Sequence, residues 1–353
     1  MLDVPSSPAS PLKMPTPLEI ERRDGGTLSQ EEFIRVYAIP GRPVLIRDAF
    51  PKWAALGKWT PDFFRQEHGH RTVVLEGRDM PLGDYIERVV AATPDNPVPY
   101  LRETMVRKLA PDLGQDLLPF VDYALPNWLR GVYPDPEVDN HMNRAAEVEL
   151  FIGGHGSILE RRKAEFDPTY SGLHGESVQG FADLHYDPTA CPVLLCQIYG
   201  RKQFTVYSPE DTPYLYTEGR HSHVPDMEAP DLDRYPLFAR ARPYRFVQEP
   251  GEAIYVPAGW WHATKMLSVS IAVGSTFAHQ AHWSGVVDEV LRDVVGSKTS
   301  LRARAIEAWM RADGRFKSLA GARLGESTHF RDPPARAAVK SAKKLVKSAF
   351  GRG

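Results

Sequence analysis

The chain has 353 residues, 42% hydrophobic and 25% charged, which reads as a soluble globular protein with one large domain and appendages. A formal net charge of −2 argues against general nucleic-acid binding. No apolar stretch is long enough to cross a bilayer, and the Pro- and Ser-rich start lacks the basic and apolar blocks of a signal peptide, so a cytoplasmic location is expected.

Residues 1–27 are predicted as a lead-in, flexible to about Ile20. From Leu28 to Ala146 the pattern is mixed. Ser29 precedes Glu32 by three residues, the spacing of a capped helix start. Arg42-Pro-Val-Leu-Ile-Arg reads as a strand, Thr60-Pro61 as a cap followed by the first helical position, Arg71-Thr-Val-Val-Leu as a strand, and Met80 to Val90 as a helix. The stretch from Glu147 to Ala278 is rich in strands. Its candidates are Val148–Ile152, Phe181–Tyr186, Val193–Ile198, Gln203–Tyr207, Tyr244–Val247, Ala253–Val256 and Ser268–Ser275. Short strands punctuated by Gly, Pro and Asp point to a sandwich or barrel. After His279 helical spacing returns, over Trp283–Val295 and Leu301–Ala312, and the apolar positions Val286, Val287, Val290, Leu291 and Val294 need a partner within the chain or between chains. Residues 279–353 therefore form a C-terminal helical region. Its last segment, from Ala335, holds six Lys or Arg and no acid, and suits either an anionic surface or a solvated tail. Cys191 and Cys196, with no export signal, are expected as reduced packing thiols.

The chemistry concentrates in two places. His185-Tyr186-Asp187 heads an apolar run, and positions two apart on a strand share a face, so His185 and Asp187 project together. His262 follows a Pro-Ala-Gly-Trp-Trp turn that delivers it to the start of a further strand. Two imidazoles and a carboxylate on one face of an iron leave positions open for a co-substrate and dioxygen. A rival pair, His174 and Glu176, lies in a Gly-rich stretch with no strand to fix it. Gly200-Arg201-Lys202 offers an anchor for an anionic co-substrate. Only one of the two cations can face inward, Lys202 by preference, and an inward lysine is costly unless it is paired.

These segments resemble the Jumonji C and cupin-like oxygenases that use iron and 2-oxoglutarate, nearest in pattern to their asparaginyl hydroxylases. The resemblance runs from about Leu28 to Phe277. It rests on His185-Tyr-Asp-Pro, Gln197-Ile-Tyr-Gly-Arg-Lys-Gln-Phe, Ser208-Pro-Glu-Asp, Pro230-Asp-Leu-Asp-Arg-Tyr-Pro-Leu-Phe, Pro250-Gly-Glu-Ala-Ile-Tyr-Val-Pro-Ala-Gly-Trp-Trp-His, and Pro43-Val-Leu-Ile-Arg ahead of Phe50-Pro-Lys-Trp. It implies a mainly β fold, a double-stranded β-helix barrel with flanking helices spanning residues 28–278. It also implies Fe(II) on His185, Asp187 and His262, and 2-oxoglutarate held by Lys202 with help from the Tyr100 hydroxyl. Family contacts have changed here: Ala182 stands where Thr is common, and two Asn positions are absent, so Thr205 or Ser275 is expected to substitute. Extra sequence at about 157–181, with Arg161, Arg162, Tyr170 and His174, reads as a lid or as a surface excursion. Trp260 and Trp261 would wall the site or pack in the core. The resemblance implies hydroxylation of a protein or peptide side chain with release of succinate and carbon dioxide. Hydroxylation of a small molecule or carrier-bound amino acid and a non-catalytic binding cupin are the alternatives. The partners expected are substrate and dioxygen without nucleic acid or a membrane span, and a homodimer through the C-terminal helices.

Overall fold

Runs of Val, Ile, Leu and aromatic residues form most of the strands their pattern calls for. The computed structural model describes residues 12–75, 77–157, 184–187 and 190–320. Its strands are β1 (Arg22–Asp24), β2 (Val44–Arg47), β3 (Thr72–Leu75), β4 (Arg78–Pro81), β5 (Leu101–Met105), β6 (Val148–Gly153), β7 (Val193–Tyr199), β8 (Lys202–Tyr207), β9 (Thr217–Glu218), β10 (His221–Ser222), β11 (Tyr244–Gln248), β12 (Ala253–Val256), β13 (Trp261–Met266) and β14 (Ser270–Thr276). A major sheet has the order β1-β2-β12-β7-β14-β6-β5, and a minor sheet the order β11-β8-β13. The minor sheet continues through His185, which bridges to His262 on one side and to His221 of β10 on the other.

The two sheets face each other. Val193, Leu195, Ile254 and Val256 of the major sheet meet Phe204, Val206 and Phe246 of the minor sheet in one interior cluster. Gln248 of β11 reaches across and donates its amide hydrogens to the Leu195 and Glu252 carbonyls, each at 2.8 Å, which ties one sheet to the other. This layout is that of a jelly-roll with flanking helices. The outer face of the major sheet (Leu150, Ile152, Leu194, Cys196, Tyr255, Ile271, Val273) is covered by helices at Gln30–Phe33, Pro61–His68 and Leu82–Ala91. Two of these start as their caps dictate. Ser29 Oγ accepts from Glu32 N–H at 3.1 Å, and Thr60 Oγ1 from Phe63 N–H at 3.1 Å with Pro61 next in line. Each cap contributes about 1 kcal/mol. The outer face of the minor sheet (Tyr207, Trp261, Ala263) packs under Leu215, Val224, Tyr235 and Phe238.

Two expectations need correction. The lead-in is not loose from residue 12 onward. Leu18 N–H donates to Pro243 O at 2.7 Å, Ile20 is buried in the interior cluster, and β1 pairs in parallel with β2. The C-terminal apolar face also finds its partner inside the chain. Trp283, Val286, Val290, Leu291, Ile306 and Met310 close on Trp128, Leu129, Tyr133 and Met142, so that face gives no support to a dimer. Cys191 and Cys196 are buried in two different cores and form no disulfide among the described residues, as packing thiols do.

Where β14 leaves the barrel for the helical layer, His279 and His282 stand with ring centroids 4.3 Å apart, and both Nε2 atoms lack a partner among the described residues. Burial pulls their pKa values down from 6.5, to about 4 for His279 and about 3 for His282. The unfolded chain takes up these protons below pH 6.5 and the folded chain does not, so stability is full above pH 6.5 and falls as the pH drops toward 4. For His279 alone the loss is on the order of 3 kcal/mol. Thermal melting followed by circular dichroism between pH 7.5 and roughly 4 should show this fall, and His279→Phe should flatten it. An unchanged slope would assign the acid sensitivity to other groups.

Candidate metal centre

β13 begins immediately after the Pro257-Ala-Gly-Trp turn, where Gly259 takes φ 76°, and carries His262 in register with Val206 of β8. Directly opposite residues of an antiparallel pair share a face. Val206 lies in the interior cluster, so His262 points inward, while Trp261 opposite Tyr207 points outward. His185 is fixed against His262 by a reciprocal backbone pair: His185 N–H donates to His262 O at 3.2 Å and His262 N–H to His185 O at 2.7 Å. Both imidazoles therefore face the interior, with ring centroids 4.6 Å apart.

Asp187, two residues along the same edge, completes the group. Its Oδ1 is 3.7 Å from His185 Nε2 and its Oδ2 is 3.7 Å from His262 Nε2. One donor atom from each of the three residues lies within 4.8 Å of the others. Donors bound at right angles to one ion at 2.0–2.2 Å stand about 3 Å apart, so small side-chain adjustments would close this set on a cation. His262 Nδ1 lies 3.0 Å from Trp260 O. A hydrogen on Nδ1 makes that contact a bond and leaves the Nε2 lone pair for a metal. The site is sheltered but open to solvent: the side chains are 15% (His185), 33% (Asp187) and 8% (His262) exposed.

Lys202 occupies the far end of the same interior face. It alternates inward with Phe204 and Val206, opposes Gln248 and Met266, and is 1% exposed. Four residues of strand separate it from the register of His262, about 13 Å. Among the described residues no carboxylate or hydrogen-bond partner faces it; Cys196 is the only group acting on its charge, and its Nζ lies 5.3 Å from the Phe204 ring centre. Burial pulls its pKa down to about 7. Tyr100 sits at the same end. Its ring stacks on Phe151 at 5.9 Å, and it flanks Gly153 beside Met266, where any added Cβ would come within 2.8 Å of the Tyr100 ring. Burial raises the Tyr100 pKa, so its hydroxyl stays protonated and able to donate. Tyr85 holds this segment in place: its hydroxyl accepts from Leu101 N–H at 3.0 Å and lies 2.7 Å from Ile152 O. Two imidazoles, a carboxylate, a buried unpaired ammonium and a phenol are a donor set that fits iron and a dicarboxylate.

Two predicted contacts do not join this set. Thr205 lies between Phe204 and Val206 in sequence and so points to the opposite, outer face of the minor sheet. Ser275 follows Gly274, whose missing Cβ faces Phe151 and Leu195 in the interior, so Ser275 points outward, its Oγ buried without a partner among the described residues. Trp261 is a packing residue of the outer core. Trp260 is half-buried beside Tyr244 and bonds Gly41 O at 3.0 Å. Arg201, the alternate anchor, is exposed and pairs with Glu249. The rival pair His174 and Glu176 and nearly all of the insert lie outside the described residues. One neighbour escaped the sequence reading. His221, on the β9–β10 hairpin, lies against His185 on the side away from His262, with centroids 6.0 Å apart and planes 20° from parallel. A Gly219-Arg220 turn ahead of it was the available signal.

The family described as a cupin-like domain matches residues 29–282. The chain is 28% identical over 294 residues to tRNA wybutosine-synthesizing protein 5 of Mus musculus, covering 81% of this chain and 85% of that protein. It is 26% identical over 262 residues to lysine-specific demethylase 8 of Xenopus tropicalis, covering 69% and 50%. It is 24% identical over 261 residues to Jumonji C domain-containing protein 5 of Drosophila melanogaster, covering 69% and 57%. The exclusion of nucleic acid drawn from net charge is not supported, because the alignment with a relative named for a tRNA covers four-fifths of this chain. No helix among the described residues is long and apolar enough to cross a membrane.

The solitary ammonium of Lys202 has a consequence for stability. Its folded pKa lies below the ordinary 10.5, so the protein loses stability as the pH falls from 10.5 to about 7. Lys202→Met removes that cost and should raise the thermal midpoint of the ligand-free protein at pH 7, by an amount equivalent to roughly 1–4 kcal/mol. A lower midpoint would mean that the ammonium has a partner that stabilises it.

Proposed function

The chain belongs to the cupin-like, Jumonji C family of Fe(II)- and 2-oxoglutarate-dependent oxygenases, and from that premise we propose that it hydroxylates an amino-acid side chain of a protein or peptide, with iron held by His185, Asp187 and His262. The observation that carries this reading is the convergence of those three donors on one interior face that ends at a buried, unpaired Lys202. Iron and 2-oxoglutarate, when bound, supply with dioxygen the oxidising power to place a hydroxyl on an unactivated carbon, with succinate and carbon dioxide released.

The protein's own groups do the rest. Lys202 binds the distal carboxylate, and the charge pairing returns the cost of burying its ammonium. Tyr100, kept protonated by burial, donates to the same carboxylate. Phe204, Val206, Phe246 and Val256 exclude water around the reacting atoms. His262 keeps one tautomer through Trp260 O, and the partly exposed Asp187 marks the side from which substrate approaches. Residues 1–300 hold 30 Lys or Arg against 41 Asp or Glu. That acidic balance around the barrel favours a cationic segment of protein over a phosphate backbone.

A second reading places the substrate on RNA. Two features favour it: the relatives named for a tRNA, and residues 301–353, which hold 13 Lys or Arg against 4 Asp or Glu. Lysine demethylation, in the names of other relatives, would use the same donors.

Purified protein with Fe(II) and 2-oxoglutarate should release succinate. A chelator, His185→Ala or Asp187→Ala should each reduce that release by about 100-fold or more. Persistent turnover in any of the three would refute the assignment of the ligands. Peptide and tRNA pools incubated in parallel and weighed by mass spectrometry decide the substrate: one added oxygen on peptide supports the leading reading, and one on RNA replaces it.

A further inference from the structure

Of the three candidate ligands, only His262 lies on a continuous strand among the described residues. His185 is held by single bridges to β13 and β10. We propose that the β9–β10 hairpin is a clamp that completes the metal centre, and that His221 is its positioning residue, fixing the His185 imidazole by stacking on the ring face opposite His262. The inference rests on the reading of His185, Asp187 and His262 as metal ligands.

Three observations carry it. The bridges put His262, His185 and His221 side by side across neighbouring strands, so their side chains share one face of the extended minor sheet. The His185 ring lies between the other two, 4.6 Å from His262 and 6.0 Å from His221, and of these two pairs only His185–His221 is near-parallel, at 20°. That spacing and tilt are those of an offset aromatic stack. The nitrogen atoms of His221 stand outside the group that can share one ion, so it acts through His185 and is not a fourth ligand.

The hairpin is built to hold still. Gly219, at φ 55°, makes a tight turn between Glu218 and His221, which pair directly. Ser222 N–H donates to Leu184 O at 2.9 Å and Tyr186 N–H to Arg220 O at 3.2 Å, so bonds to the hairpin bracket His185 on both sides. Ser222 Oγ donates to Leu215 O at 2.6 Å and accepts from Val224 N–H at 3.1 Å, which anchors the hairpin in the outer core. Arg220 Nη1 stands 4.0 Å from Asp293 of the C-terminal helical layer. A stacked neighbour adds a restraint on rotation of the ring about χ1 and χ2 and so helps keep its nitrogen aimed at the ion.

The test is Co(II) binding to the metal-free 353-residue chain, read by its visible absorption, for wild type, His221→Ala, His221→Phe and His221→Gln. Outer partners of metal ligands typically affect affinity about 10- to 100-fold. His221→Ala should bind Co(II) about tenfold more weakly and with a shifted band. His221→Phe, which can stack but cannot hydrogen-bond, should restore both affinity and band position. His221→Gln, which can hydrogen-bond but cannot stack, should resemble Ala. Should Ala fail to fold, as judged by circular dichroism of the metal-free protein, Phe and Gln decide alone. Wild-type affinity in Ala or Gln, or weak binding in Phe, would overturn the inference and leave the metal centre intact. Failure of the wild type to bind Co(II) would overturn the metal centre and this inference with it.

Discussion

The register of β8 against β13 decides whether this protein has a site at all. Val206 opposite His262 and Met266 opposite Lys202 place an imidazole and an ammonium on the same interior wall. Side chains alternate with a period of two, so a slip of one residue would send His262 into the outer core and bring Trp261 into the cavity. The outer core resists that slip. Trp261 packs on Tyr186 with centroids 4.9 Å apart and donates its indole N–H to Thr212 Oγ1 at 2.9 Å, a contact it would lose by turning inward. Gly200 pins the other end of β8, at φ 67°, with the Val269 carbonyl so close that no side chain fits. Residues without any role in chemistry therefore determine where the chemistry stands.

A buried ammonium is an unusual element to keep in an apolar interior, and it shapes how the protein behaves without its co-substrate. The ligand-free barrel carries an unpaid desolvation cost at Lys202, and anything anionic that enters relieves it. Binding and folding are thereby linked, and the fold is most secure when the site is filled. The two glutamines near that end show the opposite solution. Gln197 and Gln248 are fully buried, yet both spend their amide hydrogens on fixed backbone carbonyls and so act as struts. Lys202 and Tyr100 are left for a ligand at this end, whereas the amide hydrogens of the two glutamines are committed to the frame.

Much of this architecture was legible before any coordinates. Ala253–Val256 is a strand over the residues its apolar run marks, and both helix caps act at the residues that name them. Reading failed where polarity and position conflict. β13 is expected only as a strand starting near His262, without bounds, because Trp-His-Ala-Thr-Lys-Met mixes polar and apolar side chains, the signature of a strand with a site on one face and a core on the other. β5, Leu101-Arg-Glu-Thr-Met, hides behind charge and an irregular register. Thr205 and Ser275 were attractive for their hydroxyls, but they belong to the wrong parity. Counting from Lys202 excludes Thr205 at once, whereas the parity of Ser275 shows only when Gly274 is seen against Phe151. The hairpin bearing His221 is two residues per strand, too short for any periodicity to register.

The opening residues show how far composition can mislead about architecture. Leu18 joins the rim of the minor sheet beside Tyr244, and β1 lies along β2 at the rim of the major sheet. One short stretch thus covers the β2 edge along three residues and the β11 edge at one point, where open backbone would otherwise invite pairing with a neighbouring molecule. A chain begun at Leu28, where the recognisable family pattern starts, would lose the β1 cover of β2 and the Leu18 bridge, and with its open sheet edge would be prone to self-association.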